Sequence, residues 1–145
     1  MIKLLKAGLY IMKSDVILHK VGVIERCTKR IHEEFDNNPV NLTNYTKQDS
    51  IILNIQRACE ASIDLAMHIV AERKLGLPQT SREGFDLLAK KSIISNALSE
   101  KLKAMVGFRN VAVHDYQNLN LNILQSIIEK HLVDFSEFSK VILSN

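Results

Sequence analysis

The chain has 145 residues, 46% of them hydrophobic and 24% charged, which is the make-up of a globular domain with room for a sizeable core. Its formal net charge of +3 permits a nucleic-acid partner without requiring one. The sequence has no apolar run of the length a membrane span needs, and its two cysteines are too few for a disulfide framework, so no membrane role and a reduced, cytoplasmic setting are expected.

The opening stretch, Met1 to Ile11, is mildly apolar and basic, and it lacks the long apolar core of a secretory signal. We read residues 1–13 as an N-terminal extension to one helical domain, with Met12 as an alternative beginning. A first helix is predicted from Asp15 to Phe35, because Ile17, Val21, Ile24, Thr28, Ile31 and Phe35 recur at spacings of four and three. Asp36-Asn37-Asn38-Pro39 stops it. After a polar loop, Thr46 is expected to cap a second helix running to Leu75, with Asp49 reaching back to it.

That second helix is apolar nearly all round between Ile51 and Val70, the pattern of a central, buried element. One polar stripe interrupts it: Arg57, Glu60, Asp64 and His68. The stripe is either a water-facing side with internal ion pairs, or a polar strip turned towards the residues around Arg109 and His114. Cys27 and Cys59 both fall in helical patterns and read as buried free thiols.

Gly76-Leu77-Pro78 ends the second helix, and Thr80-Ser81-Arg82-Glu83 opens a short one reaching Lys90. A further long helix spans about Ser95 to Val113. Asn118 or Asn120 then caps a last helix, with an apolar seam of Leu121, Leu124, Ile128, His131, Phe135, Phe138 and Ile142. On that seam His131 reads as a core or interface residue. With no strand alternation, four long helices and one short one predict an all-α antiparallel bundle.

The chemistry concentrates at the end of the helix that starts near Ser95. On a helical wheel, Leu98, Leu102, Met105, Val106 and Val113 fall within roughly 100° of arc, and Arg109 falls among them. A guanidinium in an apolar stripe must be paired, or must line a cleft or subunit interface. His114 lies five residues on, about 140° round a continuous helix. The two can cooperate only if the helix ends near Val113 or if they come from different subunits. Tyr116 adds a phenol that can position a group or be modified. Arginine holds phosphate-like anions and histidine moves protons near neutral pH, so R-x-x-x-x-H-x-Y suits phosphoryl-transfer chemistry on RNA. The sequence carries no nucleotide-binding glycine loop, and Asp64 with His68 alone makes a poor metal site. No cofactor and no metal are therefore expected.

The segment from Phe108-Arg109-Asn110 to His114-Asp115-Tyr116 resembles the signature of HEPN-domain proteins, specifically the HepT-type toxin ribonucleases. Arg57 with Asp64-Leu65-Ala66 and His68-Ile69 is similar to that family's second helix, and Gly76-Leu77-Pro78 through Phe85 to its connecting segment. The resemblance covers most of residues 14–143. It implies a homodimer whose two motifs meet in a shared RNA-binding cleft, and a metal-independent endoribonuclease. In it His114 would be the acid–base group and Arg109 the phosphate-holding group. An attacking ribose 2′-hydroxyl would leave a cyclic phosphate, so DNA should resist. From their spacing on the second helix, Arg57, Asp64 and His68 are candidates for a polar strip that supports this site. The implied partner is a minimal nucleotidyltransferase (MNT) antitoxin that transfers AMP to Tyr116, with higher assembly open. The main alternative is a non-catalytic helical subunit that binds nucleotide or substrate for a nucleotidyltransferase.

Overall fold

The computed structural model describes residues 2–145, with side chains from residue 15 onward. The side chains of residues 1–14, and with them the Met12 start considered above, lie outside the described residues. The helices are α1 (Ile2–Phe35), α2 (Tyr45–Glu72), α3 (Ser81–Lys90), α4 (Asn96–His114), α5 (Leu121–Ser126) and α6 (Leu132–Ser144). A π-helical turn, Ile127–His131, joins α5 to α6, so these three form the predicted last helix. Short 3-10 turns, Pro39–Thr43 and Tyr116–Asn118, occupy two of the connections. No strand occurs among the described residues.

Local chemistry sets most boundaries. α1 stops where Asp36 and Asn37 turn into the left-handed region, at φ 49° and 52°. α2 starts at Tyr45 because Asn44, not Thr46, is its cap: the Asn44 side chain accepts from the Lys47 N–H at 3.0 Å. With Asn44 as the cap, the Asp49 carboxylate has no capping role. α2 ends at Glu72 rather than Leu75, since Lys74 takes φ 54° and Gly76, at φ 152°, a conformation that suits glycine. Thr80 accepts from the Glu83 N–H at 3.2 Å, and the Glu83 carboxylate accepts in return from Gln79, one residue before the cap. Ser95 caps α4 and Asn120 caps α5.

α2 is the central element, packed against α1, α3, α4 and α6. Ile51, Ile52, Ile55, Leu65 and Ile69 are buried along it. Phe85 of α3 meets Phe138 of α6 edge to face, with centroids 5.7 Å apart. Phe135 and Phe138 are both fully buried, and each such side chain contributes about 1.5–3 kcal/mol. The Lys103 ammonium donates to Asp86 at 2.8 Å and ties α4 to α3. The last seam departs from the predicted register at one point. The π turn brings Ile127, Ile128 and Leu132 inward together, and leaves His131 half-exposed at the edge, its Nδ1 3.1 Å from the buried Asp134 carboxylate. No helix among the described residues is long and apolar enough to cross a membrane.

Both cysteines are buried and free. Burial pushes the Cys59 thiol up to about 12, against the opposing pull of the Arg109 charge. Between the ordinary value of 9.0 and about 12 the folded protein therefore keeps a proton that the unfolded chain releases. Fewer protons bound in the unfolded state means that stability falls as pH rises through this window and is intact below it. Urea unfolding at pH 8 and pH 10 should show a total drop on the order of 1 kcal/mol that is much smaller in Cys59→Ala. An equal drop in both proteins would remove Cys59 as its source.

Candidate functional site

The site gathers where the C-terminal end of α4 passes α2 between Asp49 and Glu60. Arg109 points from α4 towards α2, and its guanidinium Nη1 donates to the Glu60 carboxylate at 2.8 Å. The Arg109 side chain is only 19% exposed, and its Nε is buried without a partner. A charge so placed is held by one carboxylate at the rim and keeps an unused donor. Glu60, 55% exposed, is free to yield to a competing anion.

α4 remains helical through His114, and the Asp115 N–H closes it on the Val111 carbonyl at 2.8 Å. The helix therefore does not end early enough to bring Arg109 and His114 onto one face. Five helical residues separate the two by about 140°, with His114 exposed. Tyr116 opens the following 3-10 turn, and its hydroxyl donates to the Asp49 carboxylate on α2.

The expected apolar stripe holds over Leu98, Leu102, Met105 and Val106, which are all buried. Val113, on the same wheel face, is 54% exposed and Val111 51%. The stripe simply outruns the core of the chain, so α4 ends with apolar residues in the open. Beside them an apolar groove of about 660 Å³ runs between α4 and the α5 region, lined by Met105, Phe108, Val111, Leu119, Ile123 and His131 among others.

The polar stripe of α2 divides. Glu60 turns to Arg109, whereas Asp64 accepts from Lys20 of α1 at 2.9 Å. His68 Nε2 lies 3.0 Å from the carboxylate of Glu72, one turn on in the same helix. Arg57 is exposed, and its charge reaches the Cys27 thiol on α1. Glu60 and Asp64 thus take partners on neighbouring helices, whereas the partner of His68 lies on its own helix. Two residues of the site were not singled out as such from sequence. Glu60 was visible only as a member of the stripe, and Asp49 only as a helper to a cap. Among the described residues, no group of three or more His, Cys, Asp or Glu side chains could hold a metal ion.

A helical bundle with R-x-x-x-x-H at the end of α4 has the form that the resemblance to HEPN proteins implies. More narrowly, the family model described as Ribonuclease HepT-like matches residues 17–142, and the chain belongs to that family. It is 49% identical over 129 residues to the mRNA nuclease HepT of Shewanella oneidensis, covering 89% of this chain and 97% of that one. The tRNA nuclease HepT of Aphanizomenon flos-aquae is 32% identical over 68 residues, 47% of this chain and 46% of the relative. The tri-AMPylated Shewanella oneidensis HEPN toxin, solved in complex with MNT antitoxin, superposes with a TM-score of 0.86 at 48% identity. That match covers 90% of this chain and 98% of the toxin.

Proposed function

We propose that this chain is the toxin of a toxin–antitoxin pair, a metal-independent endoribonuclease that works in the cytoplasm as a homodimer. The observation that carries the proposal is the end of α4. A half-buried Arg109 with an unused donor and an exposed His114 sit about 140° apart on one continuous helix, beside exposed Val111 and Val113. One chain cannot turn both groups to the same phosphate from that helix. A second copy docked against the exposed end of α4 brings its own motif to face the first.

In that cleft a phosphate of the RNA backbone displaces Glu60 from Arg109, whose fork then holds two non-bridging oxygens and their developing charge. His114 moves the protons: the 2′-hydroxyl loses one as it attacks phosphorus, and the departing 5′-oxygen gains one. The product is a 2′,3′-cyclic phosphate. Neither copy of His114 is tied to the base step or the acid step alone: at each centre one imidazole can take the first proton and deliver it in the second step. The 49%-identical relative is named for mRNA, which makes mRNA the first substrate to test.

The antitoxin partner is an MNT-type nucleotidyltransferase, and Tyr116 is the acceptor of AMP. Tyr116 is 38% exposed, so its ring is reachable, and a phosphodiester there sets negative charge beside the cleft. The alternative, a non-catalytic nucleotide-binding subunit, has less support, because both named relatives are nucleases.

The test is cleavage of mRNA and of the matching DNA by the purified, unmodified protein in EDTA, with its assembly followed by size exclusion. Cleavage of RNA alone, leaving cyclic phosphate ends, is the expected result. A folded dimer that leaves RNA intact, but binds nucleotide, would move the function to the alternative.

A further inference from the structure

We propose that Asp49 is a positioning residue for the end of α4: it latches the Tyr116 hydroxyl to α2 and so fixes the turn that follows His114. The inference rests on the reading of Tyr116 and His114 given above. Tyr116 and Asp49 are 67 residues apart in sequence, and the hydroxyl of one donates to the carboxylate of the other. Asp49 lies just inside α2 but has no capping duty, because Asn44 performs it.

The turn has little else to hold its near end. The Asp115 N–H bonds back to Val111 at 2.8 Å, Asn118 bonds to Asp115 through its backbone N–H at 3.2 Å and its amide at 2.8 Å, and the Leu119 N–H reaches Tyr116 at 3.3 Å. All of these are local. Leu119 packs on the core at the far end of the turn. Among the described residues, the Tyr116–Asp49 bond is the hydrogen bond that ties the turn to α2. A charged acceptor makes such a bond roughly twice as strong as a neutral one. The phenol ring, with two rotatable bonds, conveys that restraint to a backbone only two residues from His114.

The latch also gives AMP transfer a second way to silence the site. The Tyr116 O–H bond breaks and an O–P bond forms to the α-phosphorus of a nucleoside triphosphate. Pyrophosphate leaves, and the proton goes to solvent. The oxygen can then no longer donate, and the new phosphodiester faces the Asp49 carboxylate with like charge. Modification releases the turn as well as filling the cleft.

The experiment is a double-mutant cycle on the unmodified full chain with Asp49→Ala, Tyr116→Phe and the double variant, beside Asp49→Asn, which keeps an acceptor oxygen. Amide hydrogen exchange of residues 115–119 and steady-state RNA cleavage are read on all of them. Asp49→Ala and Tyr116→Phe should each speed exchange about tenfold and lower kcat about tenfold, with KM within about twofold, as for one lost hydrogen bond. The double variant should fall no further than either single one, and Asp49→Asn should recover most of both. Additive effects, unchanged exchange, or coupled exchange with an unaltered kcat each overturn the proposal. A wild type that leaves RNA intact overturns instead the functional reading, and the exchange cycle still decides whether the latch exists.

Discussion

Replacing His114 with alanine lowers RNA cleavage by about 10²–10⁴-fold, the range for loss of a positioned acid–base group, and leaves the fold and assembly unchanged. The structural side of this expectation follows from its place. His114 is the last residue of α4 and exposed, and surface substitutions of that kind usually shift stability by no more than about 0.5 kcal/mol. Arg109→Ala should lose a comparable factor, about 10²–10³, by removing the group proposed to meet the charge developing on phosphate. Here the structure adds a second check. Glu60, the partner left behind, is 55% exposed and hydrates easily, so the variant should remain folded. Arg109→Lys should rescue little, because an ammonium cannot reproduce the planar fork that grips two phosphate oxygens. Cleavage by a folded His114→Ala at the wild-type rate would dismiss His114 from the chemistry. Loss of activity together with loss of assembly would assign it to the interface instead.

The elements and their order were legible because helical periodicity and punctuation agree along most of the chain. Ile24 and Ile31 of α1, Ile55 and Leu65 of α2, and Phe135 and Phe138 of α6 all stand where the apolar seams put them. The details that escaped depend on tertiary partners. Thr46 and Asn44 are both acceptable caps, and only the fold selects the stronger one, Asn44. A heptad seam written across Leu124, Ile128 and His131 gives no sign of the π turn that pushes His131 to the edge. The arginine on the apolar stripe called for a partner, a cleft or an interface, but its wheel position could not say which, nor which acid would pair with it. Glu60, Asp64 and His68 share one stripe, and α1, by offering Lys20 to Asp64, leaves Glu60 for Arg109. Tyr116 and Asp49, 67 residues apart, belong to no local pattern at all. The site was thus readable as a motif and unreadable as a network.

Mixing two dead proteins should restore activity, and the geometry of α4 states how much. Arg109 and His114 sit about 140° apart on an unbroken helix, so in the proposed dimer each working centre takes an arginine from one subunit and a histidine from the other. When Arg109→Ala and His114→Ala chains are unfolded together and refolded as an equal mixture, about half of the dimers pair one of each by chance. In such a dimer one composite centre carries both substitutions, while the other keeps an intact Arg109 facing an intact His114. Recovered activity is then about a quarter of wild type per chain, far above the residual activity expected of either parent alone. Tagging the two chains differently and purifying the mixed dimer should raise recovery to about half. If each chain instead completed its own centre, every centre in the mixed dimer would lack one group, and mixing would restore nothing. That result would require the end of α4 to unwind before catalysis, bringing His114 round to the face of Arg109 within one chain. The Asp115 N–H bond to Val111, at 2.8 Å, is the contact that such unwinding must break, so amide exchange at Asp115 would then speed up when RNA binds.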